Sequence, residues 1–189
     1  MDKLRKHIEQ ITPLDDAAFE YIKTFFTTKR VRKNQFLLHD GDEVKYEYLV
    51  TAGIYKVFYV DEGGKEHIVQ FAQENWWMTD YAAYFKQQPA TMFVECLEEG
   101  EVLCLTLAGR EKLSSELHKM EHFFRLKLTN GYVAQQQRIA LLLSSTPQQR
   151  YDAFSNWYPD LLQRIPKKYI AEFLGVSRET LSRLYSGKG

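Results

Sequence analysis

Arg178, Glu179 and Arg183 are the side chains whose types and spacing best suit a chemical task, and the task is recognition rather than bond making. An arginine presents a two-pronged fork to guanine O6 and N7, and a glutamate accepts from cytosine N4. All three project from one predicted short helix, which Ser177 can cap and which Leu181 and Leu184 stripe with apolar side chains. Lys167, Lys168, Ser177, Thr180 and Ser182 surround them with groups suited to phosphate oxygens. A preceding helix is predicted from Pro166, whose missing N–H costs nothing in a first turn, through Ile170, Phe173 and Leu174. Gly175 follows where a helix ends in a left-handed residue, and the small Ala171 stands where two helices would cross. Two helices around such a turn make a helix-turn-helix. An ordinary helical hairpin also carries a charged outer face, but these features at these offsets favour DNA.

A second constellation, His118-Lys119-Met120-Glu121-His122, spells H-x-x-E-H. Two imidazoles at i and i+4 share a helix face and could hold zinc, with the adjacent glutamate as base. A catalytic site needs a third, correctly placed ligand, which the sequence does not supply, although Glu116 lies nearby. Cys96 and Cys104 sit in apolar, strand-like runs and read as buried thiols of a reducing cytosol. No nucleophile elbow, P-loop or dinucleotide fingerprint occurs. The expectation is a protein that is not an enzyme, with no catalytic residues, metal or cofactor.

The elements that must position the reading helix follow from the pattern. Residues 1–29 read as helices: Leu4, Ile8 and Ile11 share a face, and a helix opened by Pro13-Leu14-Asp15-Asp16 turns Phe19, Ile22 and Phe26 inward. From Val31 to about Leu107 come short β runs, at Gln35–His39, Tyr46–Thr51, Ile54–Val60, Lys65–Gln73, Thr91–Leu97 and Val102–Leu107. Turn residues separate them, Ala52-Gly53 and Asp61-Glu62-Gly63-Gly64 among them, which predicts a small antiparallel sandwich or barrel. Helix resumes over residues 108–145. Its long segment, from about Leu117 to Ser144, sets Leu126, Val133 and Ala140 seven apart and must bury a stripe, most simply against a two-fold partner.

Charge is distributed to match. Formal net charge is zero, but residues 1–137 hold 17 Lys and Arg against 21 Asp and Glu, and residues 138–189 hold 8 against 4. The basic excess lies with the helix-turn-helix, as phosphate attraction requires. No leader and no membrane span is apparent, so a soluble cytoplasmic protein is expected.

Ile165-Pro166, Tyr169-Ile170-Ala171 and Leu174-Gly175-Val176-Ser177-Arg178-Glu179-Thr180-Leu181-Ser182-Arg183 resemble the DNA-binding motif of the cyclic-AMP receptor and fumarate-nitrate regulator (Crp/Fnr) family of bacterial transcription factors. Gly41, Tyr48–Val50 and Gly53 resemble the opening of that family's cyclic-nucleotide-binding β-roll. The resemblance implies an α+β fold: a β-roll of jelly-roll type with N-terminal helices (1–116), a dimerisation helix (117–145) and a helix-turn-helix domain (146–189). It implies a homodimer that reads an inverted-repeat operator, of TGTGA type given Arg-Glu-Thr and the later Arg, with RNA polymerase as a candidate partner. Since Gly189 closes the chain just after the motif, no full β-hairpin wing is expected.

Two departures bear on the effector. Nucleotide-reading relatives carry Gly-Glu and, about ten residues on, Arg-Ser/Thr, whose arginine neutralises the cyclic phosphate. Here Met78-Thr79 and Pro89-Ala90-Thr91 stand in those places, with Lys86 the nearby cation and no guanidinium fork. The polar pair that would meet the adenine falls near Phe123-Phe124. Cyclic AMP is therefore not expected. Trp76, Trp77, Met78, Phe123 and Phe124 are left as a candidate pocket for an unknown small molecule, or as filler of the vacated space. The alternative function is a ligand-binding roll whose helix-turn-helix contacts protein.

Overall fold

The computed structural model describes residues 1–185. The expected absence of a wing concerns residues 186–189 and lies outside the described residues. Two short helices open the chain. In α1 (Asp2–Glu9) Leu4, His7 and Ile8 are buried, and α2 (Asp16–Lys23) is capped by Asp15, which accepts from the Ala18 N–H at 2.8 Å. Residues 26–29, expected to be helical, belong instead to β1 (Phe26–Val31). Phe26 pairs with Leu105, 79 residues away in the chain, so a distant partner outweighs the helical spacing of Phe19, Ile22 and Phe26.

One sheet carries the roll. Its path runs β1, β6 (Phe93–Thr106), β3 (Tyr46–Val60) and β4 (Glu66–Ala72). The short β2 (Phe36–Leu38) pairs with β6, and β5 (Trp77–Met78) pairs with β3. The two long strands correct the reading of Ala52-Gly53 as a turn between separate runs. β3 and β6 each pass straight through, pairing antiparallel from Tyr46↔Thr106 to Phe58↔Phe93 with register shifts around Ala52 and Ile54. At that kink Gly53 has φ +87°, and a Cβ on Gly100 would sit 1.9 Å from the Ala52 carbonyl oxygen. Both glycines are required because two backbones meet there, as at a bulge.

The faces of this sheet feed three cores. The roll interior packs Val50, Tyr55, Met78, Tyr84, Val94 and Val102, all essentially inaccessible. A second core joins α1 and α2 to Leu49, Leu103 and the start of α5 (His118–Ser144), through Met120, Phe123 and Phe124. The third unites Ile54, Phe58, Ile68 and Phe71 of the roll with Phe154, Leu161, Ile170 and Leu174 of the C-terminal helices. Between α3 (Tyr81–Lys86) and α5 lies α4 (Leu107–Glu116); beyond α5 come α6 (Pro147–Trp157), α7 (Pro159–Arg164), α8 (Lys167–Leu174) and α9 (Arg178–Tyr185). The C-terminal helices therefore sit on the roll as well as hanging from α5.

At 27 residues, α5 runs for about 40 Å. With about 100° per residue, Met120, Phe123, Phe124, Gly131 and Arg138 share the face turned to the roll. About 100–140° round the helix from that face, Tyr132 (69% exposed), Ile139 (56%) and Leu143 (82%) are bared. The seven-residue series lies on the side of the helix farthest from the roll: Val133 and Ala140 are exposed, and Leu126 is half-buried. The roll fixes the helix's rotation, and sequence spacing alone does not include it.

Candidate nucleic-acid interface

The helix-turn-helix is built tightly. Pro166 forms the cap of α8 rather than its first turn, its carbonyl accepting from the N–H groups of Tyr169 and Ile170. α8 ends at Gly175 (φ +65°), where the Val176 N–H reaches Ala171 O at 3.0 Å and the Gly175 N–H reaches Glu172 O, a Schellman closure. Arg150 of α6 donates to Leu174 O at 2.8 Å, so a third helix holds the turn. Ser177 Oγ accepts from the Thr180 N–H at 3.1 Å and caps α9. Ile170, Ala171, Leu174 and Leu181 are buried at the helix crossing, which fixes how α9 is rotated.

That rotation leaves Arg178, Glu179, Ser182 and Arg183 exposed. The Glu179 carboxyl is held below the usual range, first by its own backbone N–H and then by the Ser177 hydroxyl, so it stays ionised as an acceptor. Lys167 is exposed, with Nζ 4.0 Å from the centre of the Tyr185 ring, and so stands beside the far end of α9. Lys168 is exposed and lies 3.8 Å from Glu172 in the same helix. The Ser177 and Thr180 hydroxyls are 3.1 Å apart and committed to the cap.

The proposed pocket residues separate. Met78 is fully buried inside the roll, and Phe123 is fully buried against His7 and Trp77 in the second core. Trp76, Trp77 and Phe124 instead line a cavity of about 600 Å³ between the roll, α5 and the C-terminal helices. Met78 and Phe123 are thus removed from the expected set: Met78 turns into the roll interior, and Phe123 is covered within the second core, which Phe124 shares while also reaching the cavity wall.

Where the cassette of nucleotide-reading relatives was sought, a resident carboxylate stands. Asp80 is fully buried; Oδ1 accepts from the Ala83 N–H at 3.1 Å, and Oδ2 accepts from the Thr91 N–H and hydroxyl at 2.9 and 3.1 Å. These are donors that a bound anion at the start of α3 would use, and Asp80 already occupies them. The H-x-x-E-H residues form no metal cluster: Met120 is buried, His122 Nδ1 meets Arg125 at 2.9 Å, and no group of three potential ligands converges among the described residues.

Residues 28–116 match the model of the cyclic nucleotide-binding domain. The fumarate and nitrate reduction regulatory protein of Vibrio cholerae is 27% identical over 167 residues, covering 82% of this chain and 66% of its own length. Regulatory protein HlyX of Actinobacillus pleuropneumoniae is 24% identical over 170 residues, covering 82% and 69%. The chain resembles regulators of the Crp/Fnr family. Among solved structures, the fold of this chain is similar to that of the c-di-GMP responsive global regulator CLP of Xanthomonas campestris, with a TM-score of 0.73 at 12% identity over 92% of this chain and 91% of that one. The catabolite activator protein of Thermus thermophilus gives 0.57 at 18% identity, covering 92% and 83%. The chain spans about two thirds of the length of the curated relatives it matches.

Three basic residues were missed by sequence reasoning. Arg164 of α7 chelates Glu74 (2.9 and 3.0 Å) and Glu98 (2.9 and 3.1 Å) of the roll. Arg138 of α5 donates to the carbonyls of Ile68 and Val69 in β4, each at 2.7 Å, and of Phe173 in α8 at 3.2 Å. Lys56, 1% exposed in β3, pairs with Glu66 and with Glu95 at 3.0 Å and lies 4.5 Å from the Tyr169 ring of α8. A lysine inside an otherwise apolar strand was the available signal for the last of these.

Proposed function

We propose that this chain is a cytoplasmic, sequence-specific DNA-binding transcription regulator of the Crp/Fnr type rather than an enzyme, acting as a homodimer. The observation that carries the reading is α9: a helix seated by a buried Leu181, capped by Ser177, with Arg178, Glu179 and Arg183 on its open side. Lys167 and Lys168 at the start of α8, with Ser177, Thr180 and Ser182, supply backbone contacts, and the cap groups act chiefly by holding α9. The bared stripe of α5 is the two-fold seam, since an apolar face of that size on a long helix is ordinarily covered by a second copy. RNA polymerase is the expected protein partner at a promoter.

Cyclic AMP is not the effector on this reading. The roll interior is filled by Tyr55, Tyr84 and Met78, and Asp80 holds the donors a phosphate would need. Selection of bound sequences from random duplex DNA tests the function. The expected result is an inverted repeat with a G·C-containing core in each half and half-site centres about 34 Å apart. Selected sites without two-fold symmetry would refute the dimeric reading, and no enrichment at all would refute DNA recognition.

A further inference from the structure

The charges gathered where α8 meets the roll do not balance. Around the Tyr169 ring stand two ammonium groups, Lys56 at 4.5 Å and Lys168 at 5.4 Å from its centre, and three carboxylates, Glu66, Glu95 and Glu172. Lys56 is sealed from solvent and shared by Glu66 and Glu95. Glu172 has Lys168, one turn earlier in α8, at 3.8 Å from Oε1, and that lysine side chain is 44% exposed, so water screens the pair. Glu172 Oε2 is shut off from solvent and accepts no hydrogen bond from the described residues. An ionised carboxylate with one oxygen buried and unpaired is costly, and a proton relieves that cost. Burial pushes the Glu172 carboxyl up, and Glu66 of β4 adds to it; Lys168, Lys56 of β3 and Arg178 of α9 pull the other way and are outweighed.

Its place in the fold gives that proton a use. Glu172 shares a face of α8 with Lys168, in the helix that crosses the duplex backbone when a helix-turn-helix docks, and it lies within electrostatic reach of Arg178, the first of the proposed base-reading side chains. Duplex phosphates brought to Lys168 and Arg178 add negative charge beside the same carboxylate, which favours its protonated form further. Protonation also releases Lys168 from its carboxylate partner to a phosphate oxygen.

We propose that DNA binding by this chain is coupled to proton uptake at Glu172: the ionised carboxylate opposes the duplex, and the neutral acid admits it. A group that holds its proton more firmly in the complex contributes affinity that is full below its range in the free chain. That contribution is lost as pH rises through its range in the complex, so acidification tightens binding. The inference rests on the DNA-binding reading but not on operator symmetry or sequence, since the coupling acts through phosphates.

Affinity of the full chain for a mixed-sequence duplex, followed by fluorescence anisotropy at fixed ionic strength from about pH 8 to about pH 5, tests the coupling against Glu172→Gln, the isostere of the neutral acid. Glu172→Gln should bind about fivefold or more tightly than the parent at the alkaline end, and the two should converge at the acid end. Histidine protonation strengthens both chains alike, so the difference between the two profiles is the readout. Carbon NMR supplies a second arm that uses the parent's own signal, assigned by its loss in Glu172→Gln. The Glu172 carboxyl should titrate above the ordinary carboxylate range, and its midpoint should move up when the duplex is added. A Glu172→Gln profile that parallels the parent's overturns the coupling and leaves DNA recognition standing, and a Glu172 midpoint unmoved by the duplex does the same. A parent that binds no duplex at any pH overturns the DNA-binding reading, and the coupling with it.

Discussion

His7 is buried, and its Nε2 accepts the indole N–H of Trp77 at 3.1 Å; burial pushes the imidazole down to about 4. In the unfolded chain that group titrates near 6.5, so between about 6.5 and 4 the unfolded state binds more protons. The stability that the neutral ring contributes is present above this window and is lost as pH falls through it, by about 2 kcal/mol between pH 7 and pH 5. Urea midpoints at the two pH values should show a smaller difference in His7→Leu than in the parent; equal differences would mean that His7 is not buried neutral. On the DNA side, Arg178→Ala or Arg183→Ala should cost on the order of 1–3 kcal/mol and relax preference at one base pair. Lys167→Ala should weaken all sequences alike, measured by binding to a panel of single-base operator variants. An unchanged preferred sequence in both arginine variants would move the reading surface elsewhere.

At the scale of the element, α5 is two helices in one. Its first turns are anchored by Met120, Phe123 and Phe124 in the second core, and its remainder is held on the roll by Arg138 while the far side is bare. A charge placed at the centre of the bare stripe would be buried unpaired in a dimer and solvated in a monomer. Ile139→Glu should therefore give monomer by sedimentation at concentrations where the parent is dimeric, with little change in monomer stability. If Ile139→Glu sediments as the parent does, the seam lies on another surface.

In the whole molecule the helix-turn-helix and the roll are mechanically joined. The third core crosses from Phe71 to Phe154 and Phe173, whose rings lie 5.0–6.4 Å apart, and Arg164 staples α7 to Glu74 and Glu98. These three groups are 29%, 37% and 46% exposed, so solvent screens the staple and Arg164→Ala should cost only about 1–2 kcal/mol. Its larger effect is local: hydrogen exchange in α7 and α8 should rise more than in the roll. Arg164→Lys should recover little, because one ammonium cannot fork onto two carboxylates. The Arg164 guanidinium holds the Glu74 carboxyl below the usual carboxylate range, so this contribution is present above that range and fades as pH falls through it. Equal exchange in variant and parent would show that the apolar core alone holds the two parts together.

Sequence by itself determined the pieces whose signals are local. Ser177, Gly175 and the apolar spacing of Ile170, Leu174 and Leu181 define the helix-turn-helix, because a cap, a left-handed residue and a helical period act within a few residues. The β character of residues 31–107 and the length of α5 were legible for the same reason. Tertiary structure decided what depends on distant partners. Phe26 joined a strand because Leu105 lies opposite it, and Gly53 became a kink rather than a turn because β6 runs past it with Gly100 at the crossing. Met78 left the candidate pocket because it turns to the other side of the strand from Trp77, and Phe123 because the second core covers it while Phe124 also reaches the cavity wall. Arg138, Arg164 and Lys56 gained their roles from carbonyls and carboxylates on other elements. A side chain's type is written in the chain, but its counter-charge and the face it turns inward are set by packing of segments far apart in sequence.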